Sequence, residues 1–111
     1  MTSLTLRRLG VRLAMAAAII LQLGVIGARA EELKVTIDNF TFTPAELKVK
    51  VGDTVTWTNH DDIPHTVVSA GKYRSKTMDT DDHFSFTFTA AGDYKYFCSL
   101  HPHMTGMIKV E

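Results

Sequence analysis

The chain has 111 residues, with twelve Lys and Arg against twelve Asp and Glu and a single cysteine. That length excludes more than one ordinary globular domain. One cysteine excludes an internal disulfide, and beyond residue 30 the lack of any basic cluster argues against nucleic acid or an anionic membrane as partner.

Residues 1–30 have the pattern of a secretory signal. Arg7, Arg8 and Arg12 form a basic start, Leu13 to Ile26 is an apolar run, and Ala28-Arg29-Ala30 supplies the small residues of a cleavage site. A membrane anchor is the rival reading, but Gln22, Gly24 and Gly27 interrupt a run already shorter than the ~20 residues a spanning helix needs. Cleavage after Ala30 leaves a domain of residues 31–111, exported to the periplasm or beyond and not inserted in the membrane. The Arg7-Arg8 pair leaves both the general and the twin-arginine routes open. Four basic residues and no acidic ones leave with the signal, so the remaining domain has eight basic residues against twelve acidic and a net charge of −4. This mild acidity suits a soluble monomer. In an oxidising compartment thiols usually pair, so the lone Cys98 needs an explanation.

From Leu33 onward, apolar residues alternate with polar ones at period two. Leu33, Val35 and Ile37 mark one face of a first strand. Leu47, Val49 and Val51 mark a second, which Gly52-Asp53 ends. Val55 and Trp57 point one way in a third, with Thr54, Thr56 and Thr58 opposite. The segment Ala70 to Asp82 has no pattern and reads as a solvated loop, with at most a turn or two of helix from Tyr73 to Met78. Phe84, Phe86 and Phe88 then repeat the strand alternation with Ser85 and Thr87 outward, and Tyr94 to Cys98 and Met107 to Val110 close the set. Seven or so short strands, each with one apolar face, predict two antiparallel sheets packed face to face, an all-β sandwich.

Chemistry concentrates in Cys98-Ser99-Leu100-His101-Pro102-His103-Met104, where thiol, imidazole and thioether recur at three-residue spacing. A second imidazole comes from Pro64-His65, on a turn that a two-sheet fold can bring to the same end. Taken singly, Cys98 reads as a small buried hydrophobe, His65 as a turn residue and Met104 as core filling. Together, two His, one Cys and one weak thioether match a trigonal copper site with a long axial bond, holding one ion as Cu(I) or Cu(II). Zinc would bind such donors, but Met is a poor fourth partner for it. Iron-sulfur clusters need several cysteines. With four positions filled there is no open place for substrate, which argues against an enzyme.

The segments Val49-Lys50-Val51-Gly52-Asp53-Thr54-Val55-Thr56-Trp57, Trp57-Thr58-Asn59-His60-Asp61-Asp62-Ile63-Pro64-His65 and Cys98 to Met104 resemble those of the cupredoxins, the type 1 blue copper proteins, and the short ligand loop is most similar to that of the amicyanin branch. The resemblance covers Leu33 to Glu111. It implies a Greek-key sandwich preceded by the signal, with copper near one end on His65, Cys98, His101 and, more weakly, Met104. It also implies a role shuttling single electrons between a donor and an acceptor redox protein; a periplasmic copper carrier or storage protein would use the same residues. Asn59 matches the family position whose side chain ties the His65 loop to the cysteine loop, with Thr66 as a second candidate for that tie. Two departures stand out. Leu100 replaces a proline common in such loops and restores a backbone N–H near the thiolate, which raises the expected potential. His103 replaces an apolar residue and makes the docking face more polar.

Overall fold

The computed structural model describes residues 32–111; the expected signal peptide lies outside them. Among the described residues nine strands follow in order: β1 (Glu32–Asp38), β2 (Thr41–Thr43), β3 (Glu46–Val49), β4 (Thr54–Asn59), β5 (Val68–Ser69), β6 (Tyr73–Arg74), β7 (His83–Thr87), β8 (Gly92–Cys98) and β9 (His101–Val110). No helix occurs among the described residues. The strands form a four-stranded sheet in the order β2-β1-β4-β7 and a five-stranded sheet in the order β3-β9-β8-β5-β6. This is the two-sheet β-sandwich that the alternation and the resemblance implied.

The sheets are not purely antiparallel. β1 runs parallel to β4, pairing Val35 with Trp57, and β3 runs parallel to β9, pairing Val49 with Val110. The cause is connectivity. After β2 the chain crosses to the other sheet as β3 and returns as β4 beside β1, so the returning strand points the same way as the one it joins. Period-two alternation reports which face is buried and is blind to the direction of a neighbouring strand.

Of the inward residues named from the sequence, Val35, Ile37, Val49, Val55, Trp57 and Phe88 are buried in the core, Leu33, Leu47, Phe84 and Phe86 are partly buried and pack against it, and Tyr96 and Ile108 of the last two strands join it. Val35, Ile37, Val55, Trp57, Phe88, Tyr96 and Ile108 are all essentially inaccessible to solvent. Trp57 is the hub, with its ring centroid 5.5 Å from that of Tyr96, 5.7 Å from Tyr73 and 5.8 Å from Phe84. On the outer face of β4 and β7 the hydroxyls of Thr54 and Thr87, and of Thr56 and Ser85, pair at 2.7 Å, so these cross-strand neighbours satisfy one another.

Three expectations need correction. Val51 is exposed, because β3 ends at Val49 and the chain turns at Gly52, whose φ is 98°. The segment from Ala70 to Asp82 is not wholly a solvated loop, since Tyr73, Ser75 and Met78 are buried. In place of a helical turn, Tyr73 and Arg74 form β6, and Met78 exchanges backbone hydrogen bonds with His65, N to O at 3.1 and 2.9 Å. Two-residue strands are too short to display a period, which is why β5 and β6 could not be read from the pattern.

Burial of the tyrosines sets a test in alkali. Burial pushes the Tyr96 phenol up from 10.0 to about 12 and pushes Tyr73 higher still, with Tyr96 adding to the effect on Tyr73. A raised folded pKa contributes stability that is whole below the unfolded value near 10 and is lost as pH rises through the folded one. Phenolate absorbance of these residues is expected to rise only with unfolding, above pH about 12, together with loss of the strand circular dichroism. A smooth rise near pH 10 with the strands intact would place both rings in water.

Candidate metal centre

β8 ends at Cys98 and β9 begins at His101, so only Ser99 and Leu100 separate the thiol from the imidazole. Tyr96 and Cys98 both face inward from β8, so the sulfur at the end of that strand is buried. His65 arrives from the loop after β4. It is fully buried, and its backbone is pinned to that of Met78. Cys98 Sγ lies 3.7 Å from Nδ1 of His65 and 3.6 Å from Nδ1 of His101. Among the described residues these three form the one group of such donors that converges, all within 4.8 Å of one another. His101 is only partly buried, and Met104 is buried in the same core cluster as Cys98.

The thiol is prepared for a metal. Burial pushes its pKa up, but hydrogen bonds to the thiolate, from the Thr66 N–H first and with the Leu100 N–H among them, outweigh burial and bring it from 9.0 down to about 6. The Thr66 N–H is 3.4 Å from the sulfur. At neutral pH the group is therefore a thiolate, the form that binds metals. His65 is prepared too. Its Nε2–H donates to Asp61 Oδ2 at 2.7 Å, which leaves the lone pair on Nδ1, facing the sulfur. One thiolate and two imidazole nitrogens are the soft and intermediate donors that suit copper in both oxidation states.

The tie between the two loops runs through Thr66. Its Oγ1 accepts the Ser99 N–H at 2.8 Å and pairs with Ser99 Oγ at 2.8 Å. Asn59 was expected to make that tie, and its contacts lie elsewhere: Nδ2 donates to the carbonyls of Ile63 and Met78, both at 3.0 Å, and Oδ1 accepts the Asp61 N–H at 2.9 Å. Asn59 therefore shapes the His65 loop from within. It sits at the end of β4 with its side chain turned into that loop, while Thr66 lies past His65, beside the cysteine.

A family profile described as copper binding proteins of the plastocyanin/azurin family matches residues 30–111. The chain belongs to that family. Within it, the amicyanin of Paracoccus denitrificans is 40% identical over 83 residues, covering 69% of this chain and 63% of that protein. The match thus spans less than two thirds of that relative's length. The amicyanin of Paracoccus versutus is 35% identical over 88 residues, covering 74% of this chain and 67% of that protein. Among solved structures, a proline-to-alanine variant of amicyanin in its oxidised state is 38% identical, with a TM-score of 0.70 over 72% of this chain and 82% of that one. A purple cupredoxin from Nitrosopumilus maritimus is 33% identical, with a TM-score of 0.69 over 71% and 99%.

Two participants were not singled out in the sequence. Asp61 could have been noticed as an acid four residues before His65. Phe40 carries no local signal, since it reaches the site from the β1–β2 turn, and its ring stands edge-on to both imidazoles, at 5.5 Å from His65 and 5.0 Å from His101.

Leu100 offers a direct test. Its N–H helps to lower the thiol pKa, and a donor to the thiolate favours Cu(I). Leu100→Pro removes that donor, so its reduction potential by voltammetry is expected to fall below that of the parent; an unchanged or higher potential rejects the role.

Proposed function

We propose that this protein is an exported type 1 copper electron carrier in which His65 Nδ1, Cys98 Sγ and His101 Nδ1 hold the metal and Met104 is a weaker fourth donor. The observation that carries the reading is the convergence of one thiolate and two imidazole nitrogens within 4.8 Å of one another. Copper, when bound, supplies a one-electron couple. The residues supply the rest. The Thr66 clasp and the Asp61 bond hold the donors in one arrangement, so that little rearrangement accompanies a change of charge. His65 is sealed inside, whereas His101 is only partly buried and provides the edge at which electrons enter and leave.

Residues 1–30 are read as a signal peptide and 31–111 as the mature domain, a periplasmic monomer whose donor and acceptor are other redox proteins. Among the described residues no helix is long and apolar enough to cross a membrane. The amicyanins to which the chain is similar include oxidised and Cu(I) forms, in keeping with a redox role.

The test is to load the mature chain with Cu(II). An intense visible thiolate-to-copper absorption that bleaches on reduction and returns on oxidation, with copper retained through many cycles against a chelator, is the expected result. A colourless protein rejects the site. A coloured protein that yields its copper readily to the chelator is instead a copper carrier or store.

A further inference from the structure

The carboxylate of Asp61 does more than face His65. Its Oδ2 accepts from His65 Nε2 at 2.7 Å and from the Phe40 N–H at 3.0 Å, while Oδ1 accepts the Asn39 N–H at 2.6 Å. Asn39 and Phe40 form the two-residue turn between β1 and β2, with φ of 50° and 56°. Left-handed backbone at both central positions is the geometry of a tight hairpin turn, where glycine usually takes the second place. Here a bulky phenylalanine takes it, in a conformation that disfavours such a side chain. The turn is held there by two hydrogen bonds to a charged acceptor more than twenty residues away in sequence.

That strained turn has a product. The Phe40 ring, 46% exposed and outside the core cluster, stands nearly perpendicular to both imidazoles, at 87° in each case, and the His65 and His101 centroids are themselves 5.0 Å apart. The three rings form a mutually contacting set, and its one phenyl member comes from the turn of the opposite sheet.

We propose that Asp61 is a positioning residue that orients His65 and, through the same carboxylate, holds Phe40 as a lid over His101, limiting access of water and competing ligands to the metal. This rests on the ligand set proposed above. A single acceptor shared between the buried ligand and the lid couples the two: loosening Asp61 frees the turn and the imidazole together, whereas loosening Phe40 opens the mouth and leaves His65 in place.

The experiment has one arm without metal and one with it. In the metal-free protein, Asp61→Ala is expected to speed amide hydrogen exchange at Asn39 and Phe40 at least tenfold and to abolish the pure Nε2–H tautomer of His65 in nitrogen-15 spectra, with the Phe40→Ala tautomer unchanged. In the Cu(II) protein, Phe40→Ala is expected to release copper to a chelator at least tenfold faster while keeping its thiolate-to-copper band. Phe40→Tyr, which keeps the ring, should retain the parent rate, and Asp61→Ala should both release copper faster and shift the band. Parent release rates in Phe40→Ala overturn the lid, and parent exchange and tautomer in Asp61→Ala overturn the latch. A parent protein that gives no such band defeats the ligand assignment instead, and the metal-free arm still decides whether Asp61 holds the turn.

Discussion

Replacing Cys98 with serine is expected to abolish the visible thiolate-to-copper band and to weaken copper binding by at least about a hundredfold, since even outer-shell changes at metal sites cost roughly 10–100-fold. The sulfur is the meeting point of the site, with both Nδ1 atoms within 3.7 Å of it and the Thr66 N–H directed at it. A thiol brought down to about 6 is ionised at neutral pH, whereas a serine hydroxyl in the same place stays protonated and offers a hard oxygen to a metal that prefers soft donors. The fold itself should survive. The hydroxyl still accepts from Thr66, so the metal-free variant is expected to lose only about 1 kcal/mol. Titration with Cu(II), followed by visible absorption and strand circular dichroism, measures both effects. A Cys98→Ser protein that stays coloured would remove the thiolate from the centre of this account.

A substitution far less conspicuous in the sequence should damage the fold more. At Gly106, paired with Tyr96 across β8 and β9, a Cβ would lie 2.8 Å from Tyr96 Cε2 and nearer still to its Cζ and Oη. The ring has nowhere to go. It packs edge-on against Phe42 at 4.7 Å and against Trp57 at 5.5 Å, and Tyr96 is fully buried. Gly106→Ala is therefore expected to cost about 3 kcal/mol, at the upper end for overpacking a core. That is a large share of the ~4–12 kcal/mol typical of a domain this size. The midpoint of denaturant unfolding of the metal-free protein measures it, and Tyr96→Leu in the same chain should recover part of the loss by vacating the space. A midpoint matching the parent's would mean that the ring shifts freely.

These two residues mark the boundary of what could be read without a structure. Cys98 declared itself because its neighbours in the chain are also its neighbours in space: β8 and β9 are joined by two residues, so a motif in sequence becomes a cluster of donors with little help from the rest of the fold. The core behaved similarly. Val55, Trp57 and Ile37 lie inside because period two assigns alternate residues to one face of a strand, wherever that strand sits in its sheet. Gly106 gave no comparable sign, since what it must accommodate is a ring on the adjacent strand.

The residues that surround the donors follow the same division. Thr66 acts on Ser99 and Cys98 from 33 and 32 positions away, and Asp61 on Asn39 from 22. Asn59, placed by resemblance as the link between loops, turned its side chain back into its own loop because the geometry of the strand end, rather than residue type, decides where an amide points. Tyr73 and Met78 lay in a stretch with no period and are nonetheless buried, because the β4–β7 connection folds back over the sandwich and pairs Met78 with His65.

From the order of amino acids alone came the secondary structure of the longer strands, the apolar face of each and the identity of the donors on the cysteine loop, because each depends on spacing within a few residues. The parallel pairing of β1 with β4, the approach of His65 to the sulfur, and the Thr66 and Asp61 contacts that brace the centre were decided only in three dimensions. They require two stretches of chain to arrive at the same place, and local alternation carries no information about that meeting.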